Sequence, residues 1–179
     1  MLTRMRRNHT REAYINLIEH MRNKIPGVAL SSDFICGFCD ETEQEFEDTI
    51  SMLKIVKYDL AFLFAYSMRE KTHAHRRMID NVPEDVKQER LVRMIETFKK
   101  TQLEVQLNEV GSKHLVLIDG FGKRGPHQLS GLTDTMKRAV FDSTSFQVGD
   151  FVLAEVTSAT QNTLFCNPIS HMTIDDYYK

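Results

Sequence analysis

The sequence predicts an α/β segment followed by a small all-β domain. Three observations carry that reading. Helix-periodic and strand-like stretches alternate over the first hundred or so residues, which is the order of an α/β sheet or barrel. LAFLFAY, from Leu60 to Tyr66, is a continuous apolar run of strand length, as suits a strand buried on both faces of a parallel sheet. After Gly111 the pattern turns to short β-prone segments separated by Gly, Ser, Asp and Thr. The chain therefore divides into residues 1–107 and 108–179.

Tyr14, Leu17, Ile18, Met21 and Ile25 recur at helical spacing until Pro26-Gly27 stops the run. Val28 to Ile35 reads as a strand, and Gly37 breaks it. Thr42 with Glu45 three residues on has the form of a capping box, opening a helix with Phe46, Ile50 and Leu53 on its apolar face. Leu60 to Tyr66 is the second strand. Two such strands cannot complete a sheet that needs cover on both sides, so this segment reads as part of something larger. Ser67 to Asn81 is polar, basic and aperiodic, and reads as a loop. Pro83, Glu84 and Asp85 open a helix that carries Val86, Leu91, Met94, Ile95 and Phe98 inward and runs to about Leu107. HLVLID, RAVF, FVLAEV and TLFC are then the expected strands of a small barrel or open sheet.

Composition narrows the function. With 41% hydrophobic and 27% charged residues the chain is an ordinary globular one, and no apolar run approaches the length of a membrane span. A net charge of −2 gives no overall attraction to nucleic acid, so any such binding must be local. Three cysteines exclude a disulfide framework and favour a reducing, intracellular compartment, mitochondrial or cytoplasmic rather than secreted. MLTRMRRNHTR is Arg-rich and poor in acids, as transit peptides are, but it leads straight into the first helix and reads as structure.

Three stretches carry a family resemblance. MRRNHTREAY followed by LSSDFICGFCDETEQEF is similar to the radical-SAM tRNA methylthiotransferases, in which an Arg-rich helix start precedes a strand ending Ser-Asp-Phe-Ile, then Gly-Phe, then Glu-Thr-Glu. FAYSMREKTHA resembles the family's Tyr-Ser-x-Arg-x-x-Thr-x-Ala stretch. Gly111, LVLIDG, Gly131, Val140-Phe141, VGDFVLAEVTSAT and Leu164 resemble the TRAM module. The wording FLFAYSMR is most similar to the animal mitochondrial branch, also described as kinase-activator-binding. The resemblance covers the carboxyl-terminal part of the family only. It implies the last strands and helices of a partial radical-SAM barrel followed by a TRAM-like RNA-binding barrel. The activity implied is methylthiolation of isopentenyladenosine beside the tRNA anticodon, with S-adenosylmethionine and two 4Fe–4S clusters as cofactors. The C-x3-C-x2-C signature that holds the radical cluster is absent here, so this chain alone is expected to be inactive. A non-catalytic RNA- or kinase-activator-binding remnant is the alternative.

Gly37 to Thr42 follows the carboxyl end of a strand, where parallel α/β proteins bind ligands. Gly37 permits close backbone approach, and Glu41 or Thr42 suits a ribose or amine. Tyr66 and Arg69 end the second strand on the same side, and an arginine fork suits a carboxylate or phosphate. The resemblance adds Arg7 and Asp33 to this cofactor set. For RNA, residues 111–140 hold Lys113, Lys123, Arg124, Lys137 and Arg138 against only Asp119 and Asp134, and Phe121 and His127 suit base stacking. Two departures from the family pattern stand out: Asp40 replaces a glycine, and Leu132 replaces an arginine.

Cys36-Gly37-Phe38-Cys39 has redox spacing, but both cysteines precede the helix whose dipole would lower a thiol pKa. A zinc site from Cys36, Cys39, His73 and His75 lacks a turn-presented second pair. Both readings are disfavoured. The α/β part is expected to be marginally stable, and the β-rich tail to be the portion best able to fold and bind alone.

Overall fold

Thr10 accepts from the Ala13 amide and starts α1 (Arg11–Lys24). The computed structural model describes all 179 residues, which form two units, Met1–Gln102 and Leu103–Lys179. In the first unit α1 is followed by β1 (Ser31–Cys36), α2 (Glu43–Val56), β2 (Leu60–Ala65), α3 (His73–Arg77) and α4 (Glu84–Leu107), whose last turns pass into the second unit. The expected capping box is present at α2, with Thr42 and Glu45 serving each other. The strand expected over Val28 to Ile35 is Ser31–Cys36.

β1 and β2 are parallel, with Asp33 opposite Phe62 and Ile35 opposite Phe64. Side chains alternate across the pair. Phe34, Cys36, Ala61 and Leu63 face a core built with Ile18, Phe46, Ile50, Leu53, Met94 and Phe98 from the helices. Ile35, Leu60, Phe62 and Phe64 face the other way and are exposed, Phe62 and Phe64 by about half. The apolar run of β2 is therefore covered on one face only, which corrects the expectation of a strand buried on both. An uncovered sheet face of this composition is one that a larger sheet would enclose.

A second correction concerns Ser67 to Asn81. The segment holds α3, capped by Thr72, which accepts from the His75 amide at 3.2 Å. Five residues are too few to show a helical period, and only Ala74 of them is buried.

In the second unit β3 (Lys113–Phe121), β4 (Gln128–Thr133), β5 (Arg138–Asp142), β6 (Phe151–Ala159) and β7 (Leu164–His171) form a closed barrel in the order β3-β4-β5-β7-β6. All neighbours are antiparallel except β5 and β7. The interior is Val116, Ile118, Leu129, Ala139, Phe141, Val152, Ala154, Val156, Leu164 and Cys166. β4, QLSGLT, is not among the strands expected from the sequence. Gly131 sits where β3 crosses so closely that a Cβ would lie against the Leu117 carbonyl and inside the Val116 side chain. α5 (Ile174–Tyr177) follows β7.

Candidate functional site

The carboxyl ends of β1 and β2 lie side by side, and the two turns that leave them are tied together by α4. Gly37 has φ +76°, and a Cβ there would collide with the Lys87 side chain, so glycine is required twice over. Lys87 is 4% exposed; its ammonium pairs with Asp80 at 2.8 Å and lies 5.7 Å from the Tyr66 ring centroid, while its carbonyl lies 3.6 Å from the Cys36 thiol. Glu41 is buried within the turn. Its Oε2 accepts from the Gly37 amide at 2.5 Å and from Arg90 Nη1 at 2.9 Å, and Arg90 also reaches Glu43 at 3.1 Å. Burial pushes the Glu41 carboxyl up, against the pull of the Gly37 amide and Arg90. Asp40 adopts φ +59° and exchanges two hydrogen bonds with Asn81: its amide donates to Oδ1 at 2.9 Å and its carboxylate accepts from Nδ2 at 2.6 Å.

This geometry sorts the residues expected to bind a cofactor. Asp33, Thr42, Arg69 and Arg7 are exposed. Glu41 is turned inward and holds the turn. The Tyr66 ring packs edge-on against Phe38 at 4.8 Å, and burial and the neighbouring Cys39 push its hydroxyl up to about 12. Lys87, Arg90, Asp80 and Asn81 were not anticipated. A signal for the first two existed: Lys87, Arg90, Met94, Phe98 and Thr101 fall at helical spacing and form the buried face of α4.

The cysteines do not form a reactive centre. Cys36 and Cys39 are fully buried and unbridged, and burial pushes the Cys36 thiol up to about 11. His73 and His75 are exposed on α3, and no group of three or more His, Cys, Asp or Glu side chains converges to hold a metal ion. The chain's three cysteines thus do not fit an iron–sulfur cluster.

On the barrel, the five cations expected to meet RNA do not form one patch. Lys137 is 7% exposed and paired with Glu109, which also accepts from His114 Nε2 at 2.8 Å. Arg138 reaches across β4 to Asp119 at 2.6 Å. Lys113 is exposed at the start of β3, and Lys123 and Arg124 are exposed just past its other end. A strand of this length separates them by about 26 Å.

Residues 108–168 match the TRAM domain family. Over its whole length the chain is 44% identical to a CDK5RAP1-like protein of Oryza sativa, covering 32% of that protein. It is 42% identical over 98% of its length to the mitochondrial tRNA methylthiotransferase CDK5RAP1 of Mus musculus, again 32% of that protein. A tRNA-2-methylthio-N(6)-dimethylallyladenosine synthase of Chloroherpeton thalassium is 43% identical over 94% of the chain and 38% of its own length. The chain is a homologue of the tRNA methylthiotransferases. It spans about a third of the length of the curated relatives it matches.

Against the methylthiotransferase pattern, the aspartate that replaces a glycine occupies a left-handed position. Asn81 supplies the partner that makes it tolerable: the Asx carboxylate and amide both find hydrogen bonds in a conformation that costs an L-residue about 1–2 kcal/mol. In the barrel, Leu132 of β4 stands opposite Arg138 of β5, whose guanidinium is paired with Asp119.

Proposed function

We propose that this chain is the carboxyl-terminal portion of a tRNA methylthiotransferase, with residues 1–107 supplying the last strands of a partial radical-SAM barrel and residues 108–179 the tRNA grip. The observation that carries the proposal is continuous identity above 40% across both units to enzymes named for this reaction. The intact enzyme adds a methylthio group to dimethylallyladenosine in tRNA, the product named for the bacterial relative. The mitochondrial location is that named for the mammalian relatives.

S-adenosylmethionine supplies the radical and the methyl group in this reading. The uncovered face of β1 and β2 offers an apolar floor of Ile35, Phe62 and Phe64 with the carboxylate of Asp33 among them, which suits a nucleoside with its flat base and hydroxylated sugar. Thr42 and Arg69 stand exposed at the ends of the two strands, where a ribose or carboxylate would lie. Glu41, Arg90 and Lys87 fix the turns. The clusters belong to cysteines outside these 179 residues, and the chain by itself is inactive.

Two measurements test this. Full-length tRNA titrated at two salt concentrations binds the chain with an affinity that falls steeply as salt rises, because Lys and Arg displace condensed counterions. No binding at low salt would refute the tRNA grip. Anaerobic reconstitution with iron and sulfide leaves the chain without cluster absorbance, and a stable cluster would overturn the assignment of the cysteines.

A further inference from the structure

The β3–β4 connection, from Phe121 to His127, has the composition of a nucleic-acid-reading loop and is held in one shape. Phe121, the last residue of β3, is 63% exposed. Lys123, Arg124, Pro126 and His127 are exposed with it. Residues 120–133 hold Lys123 and Arg124 and no Asp or Glu, and the acid nearest in register is Asp142, opposite Gln128 at the base of the loop. The loop is braced from below by Gln128, which is buried. Its carbonyl accepts from Gly122 at 2.7 Å, its amide donates to Gly125 at 3.1 Å, and its side-chain oxygen accepts from the Arg124 amide at 3.3 Å. The His127 carbonyl accepts from Ser143 at 3.0 Å, tying the loop to the end of β5. An exposed phenyl ring followed by two exposed cations on a hydrogen-bonded loop is a combination that can stack on a base while neutralising adjoining phosphates. Duplex RNA offers phosphates but no free base face to an isolated ring.

We propose that Phe121 stacks on an unpaired base of the bound RNA, with Lys123 and Arg124 on the adjoining phosphates, so that the barrel reads a single-stranded segment rather than a helix. This rests on the assignment of the barrel as the RNA grip and names the part of the RNA it takes. Lys137 and Arg138 are outside it, held by Glu109 and Asp119.

The test uses the whole 179-residue chain, a short fluorescein-labelled oligouridine, and an RNA duplex of the same length. Phe121→Ala is expected to weaken oligouridine binding by about 5- to 100-fold with an unchanged salt slope, and Phe121→Tyr to restore it. Lys123→Ala and Arg124→Ala are each expected to reduce the salt slope by about 0.7. Duplex should bind more weakly and be indifferent to Phe121→Ala. If the wild-type chain binds RNA but Phe121→Ala binds equally well, or duplex binds as tightly as oligouridine, this inference falls while the tRNA reading stands. If the wild-type chain binds no RNA, both fall. All three positions are exposed, and an unchanged melting temperature confirms that each variant is folded.

Discussion

Arg90 donates to Glu41 at 2.9 Å with both side chains almost fully withdrawn from water. The pair holds the turn between β1 and α2 against α4, and one polar atom of each, Glu41 Oε1 and Arg90 Nε, has no partner. Such a pair contributes little as a pair, but breaking it is costly, because a buried charge is left uncompensated. Arg90→Met is therefore expected to destabilise the first unit by about 3–5 kcal/mol in urea unfolding. Adding Glu41→Gln in the same chain should recover a large part of that loss by removing the stranded charge. A cost below about 1 kcal/mol for Arg90→Met would show that the turn does not depend on the pair.

Asp40 and Asn81 are coupled through the left-handed backbone of Asp40. Asn81→Ala should cost about 1 kcal/mol by removing both hydrogen bonds. In that background Asp40→Gly should be stabilising, because glycine adopts positive φ freely, whereas in the wild-type chain the same change should be close to neutral. A double-mutant cycle measures this directly, and strict additivity would contradict it.

Gly131 should tolerate no side chain. Gly131→Ala places a methyl group against the Leu117 carbonyl, and β3 and β4 must separate to admit it. The barrel should lose about 1–3 kcal/mol, read as a lowered melting temperature. An unchanged melt would mean that the two strands approach less closely than described.

Acid should loosen the barrel through Glu109. The His114 hydrogen bond and Lys137 hold its carboxyl down at about 2 against the opposing effect of burial. An unfolded glutamate titrates near 4.3. The folded value is the lower of the two, so the stabilisation is fully present above about pH 4.3 and is lost as pH falls towards about 2. Glu109→Gln should flatten that part of the stability profile; an identical acid slope in the variant would assign the effect elsewhere.

Much of this was legible in the sequence. The capping box at Thr42, the Pro83 helix start and the apolar face of Phe46, Ile50 and Leu53 are local signals, and each lies where the spacing places it. What stayed hidden depends on tertiary partners. QLSGLT is missing from the strands expected, and only its close pairing with β3 explains why Gly131 has no side chain. Lys87 and Arg90 look like solvated helix charges until Asp80 and Glu41 are brought against them. Lys137 and Arg138 counted equally with Lys123 and Arg124 as bare charges, and only folding paired the first two with acids. The motif at Gly37 to Thr42 was visible, yet the direction of Glu41, inward to Gly37 and Arg90, was not.

The central claim is that the barrel is where this chain meets tRNA. Hydrogen exchange of the whole chain with and without tRNA tests it most directly. The account predicts slowed exchange within the barrel, strongest over residues 121–128, and little change over residues 1–102. Protection confined to residues 1–102, or none in the barrel at saturating tRNA, would contradict it.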